Sequence, residues 1–171
     1  MDPTTEPASS TIALPEGRLQ GRNAFIDLVR QAVSTAATQG WAKMVWCDPD
    51  FADWPLGERS LIDDLQAWSA SGRSLHLLSQ DYASLRQRHP RFVQWRVTSS
   101  HLVEARAIGK SFAGELTSAI WTPEWTMERL DPKHNVMVAT FSPARRIALG
   151  ERLDALWHRA VPSFPVSTLG L

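Results

Sequence analysis

The sequence predicts an α/β fold: a mixed, partly parallel sheet flanked by helices. Three observations carry that expectation. Helix-spaced and strand-like apolar segments alternate from residue 23 to about 97, strand-like segments then follow one another to about 141, and a capped amphipathic helix closes the body. Alternation of the first kind signals parallel strands joined by helical crossovers, and consecutive short strands signal hairpins.

The elements follow in chain order. Pro3, Pro7 and Pro15 stand among Ser, Thr and Glu with no periodic apolar pattern. Ordering such a stretch buries too little to offset its chain entropy, so residues 1–20 read as a flexible leader ahead of one α/β domain at 21–161. Phe25, Leu28, Val29, Ala32, Val33 and Ala36 recur at helical spacing, with Asn23 placed to cap the start and Gly40 to end the helix. KMVWC (43–47) is a short apolar run followed by Asp48 and Pro49, which fits a buried central strand. After a loop, Leu61, Ile62, Leu65 and Trp68 mark one face of a second helix, with Gly72 beyond its end. SLHLLS (74–79) is a second strand, Asp81 caps a short helix running to Leu85, and FVQWRV (92–97) reads as a third strand beyond Pro90.

HLVEARAI, LTSAIW, WTMERL and NVMVATF then give three or four successive strands. Ser142 caps the last helix, Pro143 suits its first turn, and Leu149, Leu153, Leu156, Trp157 and Ala160 form its apolar stripe before Pro162. The tail, 162–171, is apolar enough to lie on the body or on a neighbouring copy, so a homodimer is a candidate assembly.

Composition narrows the function classes. Lys plus Arg and Asp plus Glu number 18 each, so no net field draws the chain to nucleic acid or an anionic membrane. The acidic, polar start lacks a secretory pattern and no apolar run approaches membrane-spanning length, which gives the expectation of a cytoplasmic protein with no membrane partner. The single cysteine, Cys47, ends an apolar run and reads as a buried small hydrophobe. Of the eight tryptophans, Trp46, Trp68, Trp95 and Trp157 fall in elements. Trp54, Trp121 and Trp125 lie near prolines, where core packing competes with ligand contact.

The common phosphate cradles are missing: there is no G-x-G-x-x-G and no complete Walker sequence, and IGKS (108–111) has only the end of one. There is also no G-x-S-x-G, no H-E-x-x-H and no paired Cys or His spacing, so neither a cofactor nor a metal is expected. Asp48 and Asp50, with Asp53, follow the first central strand, where open α/β sheets bind ligands. They are candidate binding residues, and the competing reading has Asp48 and Asp50 capping turns around Pro49 while Asp53 is solvated. RQRHPR (86–91) is the densest basic patch and makes Arg86 and Arg91 candidates for phosphate contact, against a solvated helix end.

SSHLVEARAIGK (99–110) places His101 at the head of a strand. In an extended chain His101, Val103, Ala105 and Ala107 share one face, and Leu102, Glu104, Arg106 and Ile108 share the other. His101 then has no charged side chain on its own face. Glu104 and Arg106 are placed to pair with each other or with neighbouring strands, which leaves Arg106 a structural candidate as well as a binding one. His76 reads as a strand histidine with a hydrogen-bond partner, and His89, His134 and His158 read as exposed.

Over about residues 22–160 this order of elements resembles one half of a phospholipase D-like domain, and specifically a group of bacterial proteins of this size carrying a degenerate domain of that kind. The superfamily's catalytic strand reads His-x-Lys-x-x-x-x-Asp. Matched on His101, the lysine position is Val103 and the aspartate position is Ile108. The resemblance therefore implies a retained fold without phosphodiesterase chemistry, acting as a binding or interaction module. Two alternatives stand beside it. One is a phosphodiesterase or phosphoryl-transfer enzyme using His101 with charge supplied by Arg106 or the 86–91 residues. The other, disfavoured by the neutral balance, is nucleic-acid binding through that patch.

Overall fold

The computed structural model describes residues 13–70 and 72–166. Its eight strands form one sheet, ordered β1-β7-β6-β5-β2-β3-β4-β8. They are β1 (Gly17–Gln20), β2 (Lys43–Cys47), β3 (Ser74–Ser79), β4 (Val103–Ala107), β5 (Ser118–Trp121), β6 (Thr126–Asp131), β7 (Val136–Thr140) and β8 (Val161–Pro162). Strands β2, β3 and β4 run parallel, and every other pairing is antiparallel, so the sheet is mixed as expected. The helices are α1 (Arg22–Gln39), α2 (Arg59–Trp68), α3 (Ala83–Arg88), α4 (Pro90–Thr98) and α5 (Pro143–Arg159). Among the described residues, no helix is long and apolar enough to cross a membrane.

Side-chain alternation divides the sheet into two faces. Met44 and Trp46 on β2, Leu75 and Leu77 on β3 and Val103 and Ala105 on β4 pack into the larger core with α1, α2, α3 and α4. The other face carries Cys47, Leu78 and Ile108 against Leu149, Leu153 and Leu156 of α5. Burying each of those leucines stabilises the packing by about 1.5–3 kcal/mol, enough to hold a single helix across the sheet. The cap at Ser142 forms as expected, its hydroxyl accepting from the backbone N–H of Arg145.

Three expectations are corrected. FVQWRV is not a strand but the body of α4: Pro90 occupies its first turn, and Phe92, Trp95 and Arg96 are buried at helical spacing. The leader does not extend to residue 20. Leu14 is buried, the Pro15 carbonyl accepts from the Trp125 indole at 2.9 Å, and β1 pairs along β7. Residues 1–12 of that expected leader, and 167–171 of the tail, lie outside the described residues. Asn23 is not the cap of α1; the helix starts at Arg22 behind Gly21, whose φ of 111° is open to glycine, and whose N–H donates to the Asn135 carbonyl. At the other end Gly40 closes α1 in the left-handed region, as the sequence expects.

Candidate functional site

The carboxyl ends of the parallel strands place Asp48 just beyond β2, opposite Ser118 at the start of β5 and beside Arg129 on β6. The three side chains, all facing α1, form a closed polar cluster. Asp48 is 1% exposed and accepts from the backbone N–H of Asp50 and Phe51, from the Trp54 indole at 2.9 Å and from the Ser118 hydroxyl. Arg129 donates to Asp48 at 3.2 Å, to both oxygens of Asp53, to the Ser118 hydroxyl and to the Asn135 amide oxygen. Its guanidinium also lies 4.1 Å from the Phe25 ring centroid. Burial pushes the Asp48 carboxyl up in pKa, and its hydrogen bonds pull the other way.

The polar atoms of this arrangement are paired with one another. Ser118 is buried and its proton is committed to Asp48, while the guanidinium has an acceptor for each of its nitrogens. Of the expected acidic cluster, Asp48 and Asp53 converge on Arg129, whereas Asp50 caps a turn by accepting from Ala52 N–H. Asp53 is not simply solvated. Among the described residues, no group of three or more His, Cys, Asp or Glu side chains is gathered to hold a metal.

A second constellation lies under α5. A cleft of about 260 Å³ is lined by Lys43, His76, Trp121, Asp154, Trp157 and His158, with Gly150 at its wall. The His76 ring stacks on the Trp157 indole at 4.4 Å between centroids and 4° between planes. Burial lowers the His76 pKa, Lys43 and Arg106 add to that, and Glu104 at 3.8 Å opposes it. His76 thus gains a stacking partner and a distant carboxylate in place of the expected hydrogen bond. Arg106 lies 4.4 Å over the same indole, donates to the Trp157 carbonyl and pairs with Glu104 at 3.1 Å, so the expected Glu104–Arg106 pairing forms.

The remaining candidates do not converge. His101 is exposed in a turn two residues before β4 begins, at the amino-terminal edge of the parallel strands and away from Asp48. From Val103 to Ile108 the expected alternation holds: Val103 and Ala105 enter the larger core and Ile108 the smaller. Arg86 lies over the Phe164 ring, while Arg91 is exposed and donates to the Gly57 carbonyl. The basic run is therefore split between two surroundings. His89 is buried rather than exposed, with Nε2 2.9 Å from the Phe51 carbonyl.

Arg129, Arg96 and Phe164 are what sequence reading missed. Arg129 stands in a β strand among Thr126, Met127 and Glu128, and alternation does place it with Met127 on the inward face. That register, had it been tied to Asp48, was the available signal.

No family model matches the chain, and no curated protein matches it in sequence. In three dimensions it is similar to TrmBL2, an archaeal chromatin protein that shows a novel mode of DNA binding. The TM-score is 0.61 with 13% identity, over 92% of this chain and 57% of that one, so the chain spans little more than half of that protein. It is also similar to Nuc from Salmonella typhimurium, a phospholipase D family member, with a TM-score of 0.53 and 11% identity over 78% of this chain and 89% of that one. At such identities the likeness is one of architecture. The fold of this chain is phospholipase D-like.

Proposed function

We propose that the chain is a binding module on a phospholipase D-like fold that does no phosphodiester chemistry. The observation that carries this reading is the burial of Val103 and Ile108, 5% and 2% exposed, at the positions the superfamily pattern gives to lysine and aspartate. Neither position offers an imidazole at His101 a cation to stabilise a developing phosphoryl charge. The test is hydrolysis of bis(p-nitrophenyl) phosphate. No turnover above buffer, and no difference between the native protein and His101→Ala, is expected. Turnover that disappears in His101→Ala establishes the enzyme reading instead.

A second reading, nucleic-acid binding, draws on the shallow depressions beside α2 and α4 bordered by Arg59, Arg88 and Arg91. Likeness in fold to a DNA-binding chromatin protein supports it only in outline. Its signature is an affinity for duplex DNA that falls steeply with salt and loses slope in Arg88→Ala with Arg91→Ala. The neutral overall charge predicts that such affinity is weak.

A further inference from the structure

We propose that Tyr82, Arg86 and Arg96 form a slot for a single-ring aromatic anion, and that Phe164 fills that slot when no ligand is present. The proposal deepens the binding-module reading by assigning it a ligand class.

The first observation is an unsatisfied cation. Arg96 is 6% exposed, yet among the described residues its Nε and one terminal nitrogen meet no acceptor, and its other terminal nitrogen makes only a long 3.4 Å contact to the Phe164 carbonyl. A buried guanidinium without a carboxylate is a costly arrangement that folded chains seldom keep without reason. The second observation is that a like charge stands beside it. Arg86 lies 4.7 Å and Arg96 5.7 Å from the centroid of the same Phe164 ring, and among the described residues neither enters a salt bridge. Burial and the Arg86 charge both depress the Arg96 pKa.

The third observation concerns what lies between them. The Phe164 ring is 2% exposed and stacks on Tyr82 at 5.1 Å and 10°. Its backbone φ of 51° falls in the left-handed region, where a bulky non-glycine residue is strained. Tyr82 is a fixed platform: its hydroxyl lies 2.8 Å from the Arg106 carbonyl and 3.0 Å from that of Leu77. Phe164 instead rides on a segment joined to the sheet by the two-residue β8 and by one bond from Ser163 N–H to the Ala105 carbonyl. The platform and cations therefore belong to firm elements, the turn after β3 and helices α3 and α4, and the ring belongs to a weakly tethered one.

A flat six-membered ring in that position keeps the stacking, and an anionic substituent supplies the oxygen acceptors that phenylalanine lacks. Carboxylate and phosphate both match the planar donor fork of arginine. The chemistry shared by an aryl carboxylate, an aryl phosphate and a pyrimidine nucleotide is thus what the slot recognises.

The experiment is calorimetric titration of the native chain, Phe164→Ala, Phe164→Leu, and Phe164→Ala combined with Arg96→Gln. The probes are benzoate, phenyl phosphate, uridine monophosphate and inorganic phosphate, and circular dichroism confirms that each variant is folded. At least one ring-bearing anion is expected to bind Phe164→Ala ten-fold or more tightly than the native chain, to lose that gain with Arg96→Gln, and to exceed inorganic phosphate. The preferred probe identifies the source of the anion. Phe164→Leu, which keeps an apolar plug without the flat ring, decides the matter if the alanine variant fails to fold: tighter binding than native supports the slot. Equal affinity in the native chain and folded Phe164→Ala (or, where that variant does not fold, Phe164→Leu), or a gain indifferent to Arg96→Gln, overturns the proposal. Neither result bears on the phosphodiesterase assay, so the non-catalytic reading stands or falls separately.

Discussion

The Arg129 guanidinium lies 3.2 Å from the carboxylate of Asp48, 81 positions away in the chain, and both side chains are almost wholly removed from solvent. The contact ties β6 to the loop after β2 across the intervening β5, at the edge where α/β sheets present their ligand sites. Desolvating two ions is expensive, and the attraction between them offsets that only while every donor and acceptor is matched. Removing one partner strands the other. Asp48→Ala and Arg129→Met are each expected to destabilise the fold by about 3–5 kcal/mol, measured by urea denaturation. The double variant is expected to cost less than the sum of the two. Additive losses would show that the two residues act independently.

Stability is expected to fall as pH drops below the ordinary histidine range, because His76 is held neutral in the fold. Its pKa is lowered by burial, by Lys43 and by Arg106, against the opposing pull of Glu104, while Asp154 and His158 line the same cleft. The unfolded chain therefore takes up a proton at a pH where the folded chain does not. Its share of stability is complete above the unfolded pKa of about 6.5 and is lost as pH falls toward the folded value. Thermal melts between pH 7.5 and 5 should show a steeper decline for the native chain than for His76→Phe, which keeps a flat ring on Trp157. Parallel declines would remove His76 as the titrating group.

Cys47 is expected to resist thiol reagents in the native state. It is fully buried on the face covered by α5, and burial with the neighbouring Asp48 charge pushes its thiol far above the ordinary range. Ellman's reagent should label none of the folded protein over minutes and one thiol per chain after denaturation. Rapid labelling without denaturant would mean that α5 lifts readily from the sheet.

Sequence reading succeeded where one local rule was enough. Periodicity placed α1 and α2, composition placed β2 and β3, and Ser142 with Pro143 announced the start of α5. It failed where tertiary contact decides. FVQWRV has strand-like composition, but Pro90 opens a helix and the larger core accepts Phe92, Trp95 and Arg96 on one helical face. The segment at 17–20 has no apolar pattern of its own because, as a mostly exposed edge strand, it is held by its ladder with β7. Asp48 was legible as a turn-capping residue after a strand, but its ion pair required knowing that β6 lies two strands away. Phe164 was foreseeable only as an apolar residue in the tail that the sequence expected to lie on the body. Its stacking on Tyr82 and its place between two arginines are not local properties.

Gly150 lies in the middle of α5, where replacing glycine by alanine ordinarily stabilises a helix by about 0.8–1.0 kcal/mol. Here the opposite is expected. A Cβ at this position would stand 3.0 Å from Nε1 of Trp121, and that nitrogen is committed to the Arg146 carbonyl one turn earlier, at 3.0 Å. The indole cannot withdraw without breaking this bond, and it is also part of the wall of the cleft that contains His76 and Trp157. Gly150→Ala therefore exchanges a gain in helix propensity for an overpacked contact, whose typical cost of about 1–3 kcal/mol is the larger quantity. Urea denaturation should show a net loss of stability, accompanied by altered tryptophan fluorescence. Trp121→Phe removes the obstructing N–H and should restore the ordinary benefit of alanine, so a Gly150→Ala chain that is more stable in the native background would show that α5 is free to shift away from β5.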